Sequence, residues 1–466
     1  MRFCESKGRK IKSTVSRALS TLWGRVNVGR LRNNCTTEKR MMRSDGAFFP
    51  NHNLQCDKSF GLKRINLPKL KDTTKIWEIQ GEVGLVSTML YGKGFVDILD
   101  ESGPRRVIRV RDRHSTEVLL TLLQNKLPYK VLVEDLASYL KEKEGQRKRK
   151  TKSSSTCSNV SCPQPLSDAY MTLDQIEWYL KEINITYSSR LSVTSIGKSI
   201  EGRDIWQVHI RPQSCSVGSS VWIEAGIHAR EWIAPAVALQ MIPLLLEDCS
   251  RIGTLDIYIV PMANPDGYLY TWTNDRYWRK NRRKNNGTCD GVDLNRNWDY
   301  KFGLFASDDP CADDYKGSAG FSEPETQALS DAMLAVAKTS NLLMVMTFHS
   351  FGQYFLYPWG WTAEPAPDTP KMINRGELWA AAAKKRYGTV YKVTNSGSGL
   401  YLASGATDDW AKAVLKVNYS YTVELRDEVT RGFVLPPDQI KPCSEEVWDG
   451  MEILLKAVGP GEHIFL

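Results

Sequence analysis

No apolar run in this 466-residue chain approaches the roughly 18 residues a membrane-spanning helix needs, so no membrane span is expected. Most of the chain also lacks net charge. Residues 1–50 hold 12 Lys/Arg against 3 Asp/Glu and so account for the whole formal charge of +9, while the remainder balances at 50 basic and 50 acidic residues. A basic face for nucleic acid is therefore not implied, and no nucleic-acid partner is expected. The basic start, RKIKSTVSRALSTLWGRVNVGRLR, is poor in acids and lacks the apolar core of a secretory signal. Residues 1–72 read as a disordered basic extension, with a transit or leader segment as the alternative. Histidine is scarce, at six residues, so each can be weighed singly.

What is present builds domains. With 42% apolar residues the chain can bury at least one large core, and its length suits two or three domains. KIWEIQG, GFVDILD and RVIRVRD read as strands. STEVLLTLLQNK reads as a helix with Ser115 as N-cap and Val118, Leu119 and Leu122 on one face, and YKVLVEDLASYL as a strand entering a helix. These make a small α+β unit over 73–143. The stretch EGQRKRKTKSSSTCSNVSCPQP has no core-forming pattern, so 144–167 reads as a linker. Its run Arg147–Lys150 is either open to a trypsin-like protease or a solvated basic stretch. Over 168–460 the apolar strands VWIEAGI, LDIYIVP, NLLMVMTFHS and YSYTVELRD alternate with helical stretches. That alternation predicts an α/β sheet covered on both faces, with functional groups just past the strand ends.

Ten cysteines are a moderate number for this length. Cys289 and Cys311 flank one loop and could bridge it. Sequons at Asn34, Asn159, Asn184, Asn286 and Asn418 lean towards a secretory route.

The strand VWIEAGI runs straight into GIHAREW, which sets His228 and Glu231 three residues apart. If a helix starts there, both face one side and can chelate one ion; otherwise they are cap or surface residues. His349 ends an apolar strand, where such a sheet places its chemistry. His209, inside IWQVHI, reads as a satisfied core residue. Two His and one Glu would complete a catalytic zinc site with one open position. Glu424 lies in an apolar strand, where a carboxylate needs a partner or a task. It is either a general base or an ion-pair partner of Arg426. RYWRKNRRK and VDLNRNWD supply Arg276, Arg279, Arg282, Asp293, Asn295 and Arg296, and guanidinium groups suit a carboxylate or a developing oxyanion.

Taken together, GIHAREWIAPA, PMANPDGY, RYWRKNR, GVDLNRNWD, FHSFGQYFLYPWGW, LYLASGATDDW and ELRD…GFVLP resemble the zinc metallocarboxypeptidases of the pancreatic carboxypeptidase A and B type. The resemblance covers about Ala169 to Gly459, and more loosely 73–143 as an activation propeptide. It implies a mixed eight-stranded sheet flanked by helices, preceded by a small ferredoxin-like α+β domain. It implies that His228, Glu231 and His349 hold one Zn²⁺ and that Asp293 orients His228. Glu424 would be the general base and then acid, and Arg279 would stabilise the oxyanion. Asn295, Arg296 and Tyr401 would bind the substrate's terminal carboxylate, Arg230 would lie along the peptide path, and Phe433 would line a subsite. A disulfide would join Cys289 and Cys311.

The resemblance also implies that Asp408 would lie at the floor of the side-chain pocket, the B-like pattern for C-terminal Lys or Arg, unless it turns outward while Asp409 makes a structural bond. Ser396 fits that pattern. Gly360, Ala406, Thr407 and Phe351 depart from the usual residues. The expectation is a secreted, monomeric zymogen activated by a trypsin-like protease cutting within 144–165 and acting on peptides with free C-termini. Three alternatives stay open: an A-like apolar preference, a zinc amidohydrolase of acyl amino acids on the same scaffold, and an inactive binding protein.

Overall fold

The structure is a computed structural model that describes residues 74–80, 90, 96–100, 105–110, 114–135, 163–212, 218–247, 254–287, 289–427 and 431–458. The expected extension over 1–72, the helix expected after Glu134 and nearly all of the linker lie outside the described residues.

Four strands, β1 (Lys75–Gln80), β2 (Val96–Asp100), β3 (Arg105–Val110) and β4 (Tyr129–Val133), form an antiparallel sheet in the order β2-β3-β1-β4. That is the strand order of a ferredoxin-like sheet. Helix α1 (Ser115–Gln124) packs on it through Val118, Leu119 and Leu122. The cap position falls one residue earlier than expected. His114 is the N-cap and makes no side-chain capping bond, so Ser115 is the first helical residue.

The larger unit opens with α2 (Leu173–Thr186). Its N-cap Thr172 and Gln175 form a reciprocal capping box, which satisfies two backbone donors at the helix start. There follow β5 (Leu191–Lys198), β6 (Asp204–Ile210), β7 (Ser219–Ala225), α3 (Ile233–Glu247), β8 (Leu255–Val260), α4 (Pro265–Thr273), α5 (Pro324–Thr339), β9 (Asn341–Ser350), β10 (Tyr354–Tyr357), α6 (Thr369–Tyr387), β11 (Lys392–Asn395), β12 (Tyr419–Leu425) and α7 (Ile440–Val458). The eight strands make one mixed sheet in the order β11-β10-β12-β9-β7-β8-β6-β5. The central strands β12, β9, β7 and β8 run parallel. They read as continuous apolar runs because both faces are buried. One core cluster lies under α2, α3, α6 and α7, and a second, built on Trp222, Trp298, Val345 and Trp410, fills the other face. The site lies beyond the C-terminal ends of β7, β9 and β12, where parallel strands converge. Among the described residues no helix is long and apolar enough to cross a membrane.

Candidate metal centre and cleft

His228 and Glu231 leave β7 in a turn, not on a helix. Glu231 N donates to His228 O at 3.3 Å, and α3 begins only at Ile233. The three-residue spacing still brings the two side chains together. Gly226, at φ +71°, makes the turn possible, and a Cβ there would meet Met262 Sδ at 3.0 Å. His349 arrives from the end of β9. His228 Nδ1 lies 2.8 Å from Glu231 Oε1 and 3.1 Å from His349 Nδ1, and His349 Nδ1 lies 3.2 Å from Glu231 Oε2. All three side chains are buried, and the ligand atoms fall within 4.8 Å of one another.

Two imidazole nitrogens that face each other across a carboxylate suit one shared cation. The two-nitrogen, one-oxygen donor set is that of a catalytic zinc. The outer nitrogen of His228, Nε2, is fixed 3.1 Å from Asp293 Oδ1, which leaves its Nδ1 lone pair for a metal. Ser350 N donates to Glu231 Oε2 at 3.1 Å. His349 Nε2 is buried without a hydrogen-bond partner. The residues therefore fit Zn²⁺.

Asp293 joins the metal residues to the cleft. Its Oδ2 accepts from Arg279 Nε and Nη2 at 3.0 and 2.9 Å, and its Oδ1 from Asn295 N at 2.9 Å. Although buried, its carboxyl is held well below the usual carboxylate range by Arg279 and His228. Arg279 Nη1 is 3.9 Å from Glu231 Oε1, so its positive end reaches the metal residues. Arg296 is buried: Nη1 donates to Asn295 O at 2.8 Å, Nη2 lies 3.5 Å from Tyr401 Oη, and Nε has no partner. Thr407 N donates to Asn295 Oδ1 at 3.0 Å, which ties this cationic corner to the segment carrying Asp408. That segment passes close, for a Cβ on Gly405 (φ +69°) would lie 2.3 Å from Arg296 O.

Glu424 on β12 pairs in register with His349 on β9. Of its two sequence readings, the pair with Arg426 loses ground. Arg426 Nε donates to the buried Glu446 at 2.7 Å, and the rest of its guanidinium binds Gln439 and Thr389. Asp409 makes the structural bonds, accepting from Gly360 N and Trp361 N at 2.9–3.1 Å. Asp408 does not turn outward. It is buried beside Ser396, whose Oγ lies 3.4 Å from Oδ2, and burial raises its carboxyl above the usual range.

Arg230 stacks its guanidinium 4.4 Å from the Phe433 ring centroid and donates to Asp313 Oδ2 at 2.7 Å. Phe433 meets Phe351 edge-on at 4.9 Å and Tyr277 at 6.3 Å. This aromatic wall packs against the small sheet: Ile76 and Val107 form one apolar cluster with Tyr277 and Phe433. Cys289 and Cys311 are disulfide-bonded. His209 is satisfied, as read from the sequence: Nε2 lies 2.7 Å from Asp256 Oδ1 and the ring stacks on Tyr258.

Sequence reasoning assigned no role to several residues. Asn264 Nδ2 lies 3.1 Å from both Ile227 O and Lys280 O, so it ties the loop bearing His228 to the loop bearing Arg279. The motif PMANPDGY held that signal, since an Asn before Pro-Asp-Gly can cap a helix, and Asn264 caps α4. Asp313 gave no signal, because its partner is 83 positions away.

A sequence model of the family described as Zinc carboxypeptidase matches residues 176–450. The chain is 39% identical to carboxypeptidase O from Homo sapiens over 298 residues, covering 62% of this chain and 79% of that one. It is 35% identical to carboxypeptidase B from Astacus astacus over 297 residues, covering 62% and 97% respectively. The crystal structure of carboxypeptidase A from Helicoverpa armigera superposes with a TM-score of 0.76 at 27% identity, covering 84% of this chain and 98% of that one.

Proposed function

The chain belongs to the zinc carboxypeptidase family and is a metallocarboxypeptidase that removes C-terminal residues, and from that premise we propose that it prefers C-terminal Lys or Arg and is made as a secreted zymogen. The observation that carries the activity is the convergence of His228 Nδ1, His349 Nδ1 and the Glu231 carboxylate, braced by Asp293. These three residues would hold Zn²⁺, which supplies Lewis-acid activation of water and of the scissile carbonyl.

The chain's own groups do the rest. Glu424 takes a proton from the attacking water and returns it to the departing amine. Arg279, held by Asp293, stabilises the oxyanion of the tetrahedral intermediate. Asn295, Arg296 and Tyr401 grip the substrate's terminal carboxylate, the contact that makes an exopeptidase. The unpaired Arg296 Nε and its nearness to Tyr401 support that role. Asp408 faces the terminal side chain. Its burial beside Ser396, with no cationic side chain bonded to it among the described residues, supports a pocket completed by Lys or Arg. The apolar cluster that joins the small sheet to Tyr277 and Phe433 supports an inhibitory cover, released by a trypsin-like cut in 144–165. The protein then acts as a monomer.

Glu424→Gln tests the chemical assignment. It should lower kcat by about 10²–10⁴ with zinc content unchanged. An unaltered kcat would remove Glu424 from its role.

A further inference from the structure

At the outer end of the aromatic wall the large unit holds a cation that belongs to the small sheet. Arg109 on β3 sets Nη1 3.2 Å from both carboxylate oxygens of Asp275. Its guanidinium lies 5.8 Å from the Tyr277 ring centroid. Asp275 Oδ1 also accepts from Tyr277 N at 2.9 Å, which fixes the carboxylate beside the ring. Among the described residues Arg109 is the one cationic side chain hydrogen-bonded to Asp275.

The neighbouring cations of the large unit are turned to other partners. Arg230 bonds Asp313. Arg276 lies 3.7 Å over the Trp232 ring and donates to the carbonyls of Arg230 and Phe433. The side chain of Asp275 is 38% exposed even beneath the small sheet, so it opens further once that cover leaves. The ring contacts Phe351–Phe433–Tyr277 connect this niche to the metal residues, because Phe351 follows His349 by two positions.

We propose that Asp275 and the face of Tyr277 form a subsite for a Lys or Arg side chain of the substrate, upstream of the scissile bond, and that Arg109 fills it in the uncleaved chain. This rests on the reading that the small sheet covers the cleft until the linker is cut. A carboxylate beside an aromatic face attracts a guanidinium or ammonium by charge and by the ring quadrupole, and repels an acidic side chain. The subsite is separate from the pocket at Asp408, so upstream and terminal preferences can be measured independently.

The test uses zinc-loaded full chain, nicked in the linker by trypsin that is then inactivated. Peptides ending in one common residue carry Arg, Ala or Glu at each upstream position in turn, and a short substrate that cannot reach the niche serves as reference. At one upstream position Arg should raise kcat/KM about tenfold over Ala, and Glu should lower it. Asp275→Asn should abolish the gain and Asp275→Arg should shift the preference to Glu, with the short substrate unaffected. Equal rates at every position, or a gain that survives Asp275→Asn, would overturn the subsite alone. Failure of the nicked parent to cleave even the short substrate would overturn the carboxypeptidase reading, and the subsite with it.

Discussion

The proposed Lys/Arg preference rests on one buried carboxylate, that of Asp408. Burial raises its carboxyl, while Asp409 N, Ser396 and Thr422 stabilise the ionised form as hydrogen-bond donors. On the proposed reading, an ammonium or guanidinium entering the pocket would supply a counter-charge that an apolar side chain would not. A buried pair of this kind costs several kcal/mol when one partner is removed. Asp408→Asn should therefore lower kcat/KM for a C-terminal Arg peptide about 100-fold or more, with little change for a C-terminal Leu peptide. Parallel kinetics on the two peptides check this, and equal losses would assign Asp408 a structural role. The sequence supplied the residue type but not its direction, for Asp408 could have turned outward; it is buried, while Asp409 accepts from the backbone of Gly360 and Trp361.

At the scale of elements, β7 carries an unusual group. Glu224 is fully buried, and neither carboxylate oxygen has a hydrogen-bond partner. Burial pushes its carboxyl up to about 7 from 4.5, with the charge of His349 opposing the shift. In the unfolded chain the group ionises near its ordinary value, so between the two values the unfolded state loses a proton that the fold retains. Stability then falls as pH rises from about 4.5 to 7 and levels off above, by about 3 kcal/mol at most. Glu224→Gln removes the titration. Melting curves at pH 5 and pH 8 should show the variant losing less Tm across that interval than the parent. An equal loss in both would mean that Glu224 is ionised in the fold.

Elements were the most legible level in the sequence. The strands around LDIYIVP, NLLMVMTFHS and YSYTVELRD were visible as apolar runs of buried type. Element ends were less so. His228 and Glu231 sit in a turn before α3, because a spacing of three serves a turn as well as a helix. Glu224 was passed over although it lies in an apolar strand of a sheet expected to be covered on both faces, the same signal that singled out Glu424.

The whole molecule brings together residues that no local pattern connects. Arg109 and Asp275 are 166 positions apart, and Asn295 and Thr407 are 112 apart. Such contacts follow from topology: the parallel order β12-β9-β7-β8 delivers several loops to one sheet edge, and the small sheet packs Ile76 and Val107 against Tyr277 and Phe433. Activity is therefore a property of the assembled chain, and so is the control proposed above. The measurement that tests this account most directly uses zinc-loaded protein before and after tryptic cleavage of the linker. It follows release of the last residue from a peptide ending in Arg, and from the same peptide with an amidated C-terminus, with and without a zinc chelator. The account predicts release from the free acid alone, stimulated by linker cleavage, abolished by the chelator and restored by added zinc. Absence of release from folded, zinc-loaded, cleaved protein, or release that the chelator leaves untouched, would contradict it.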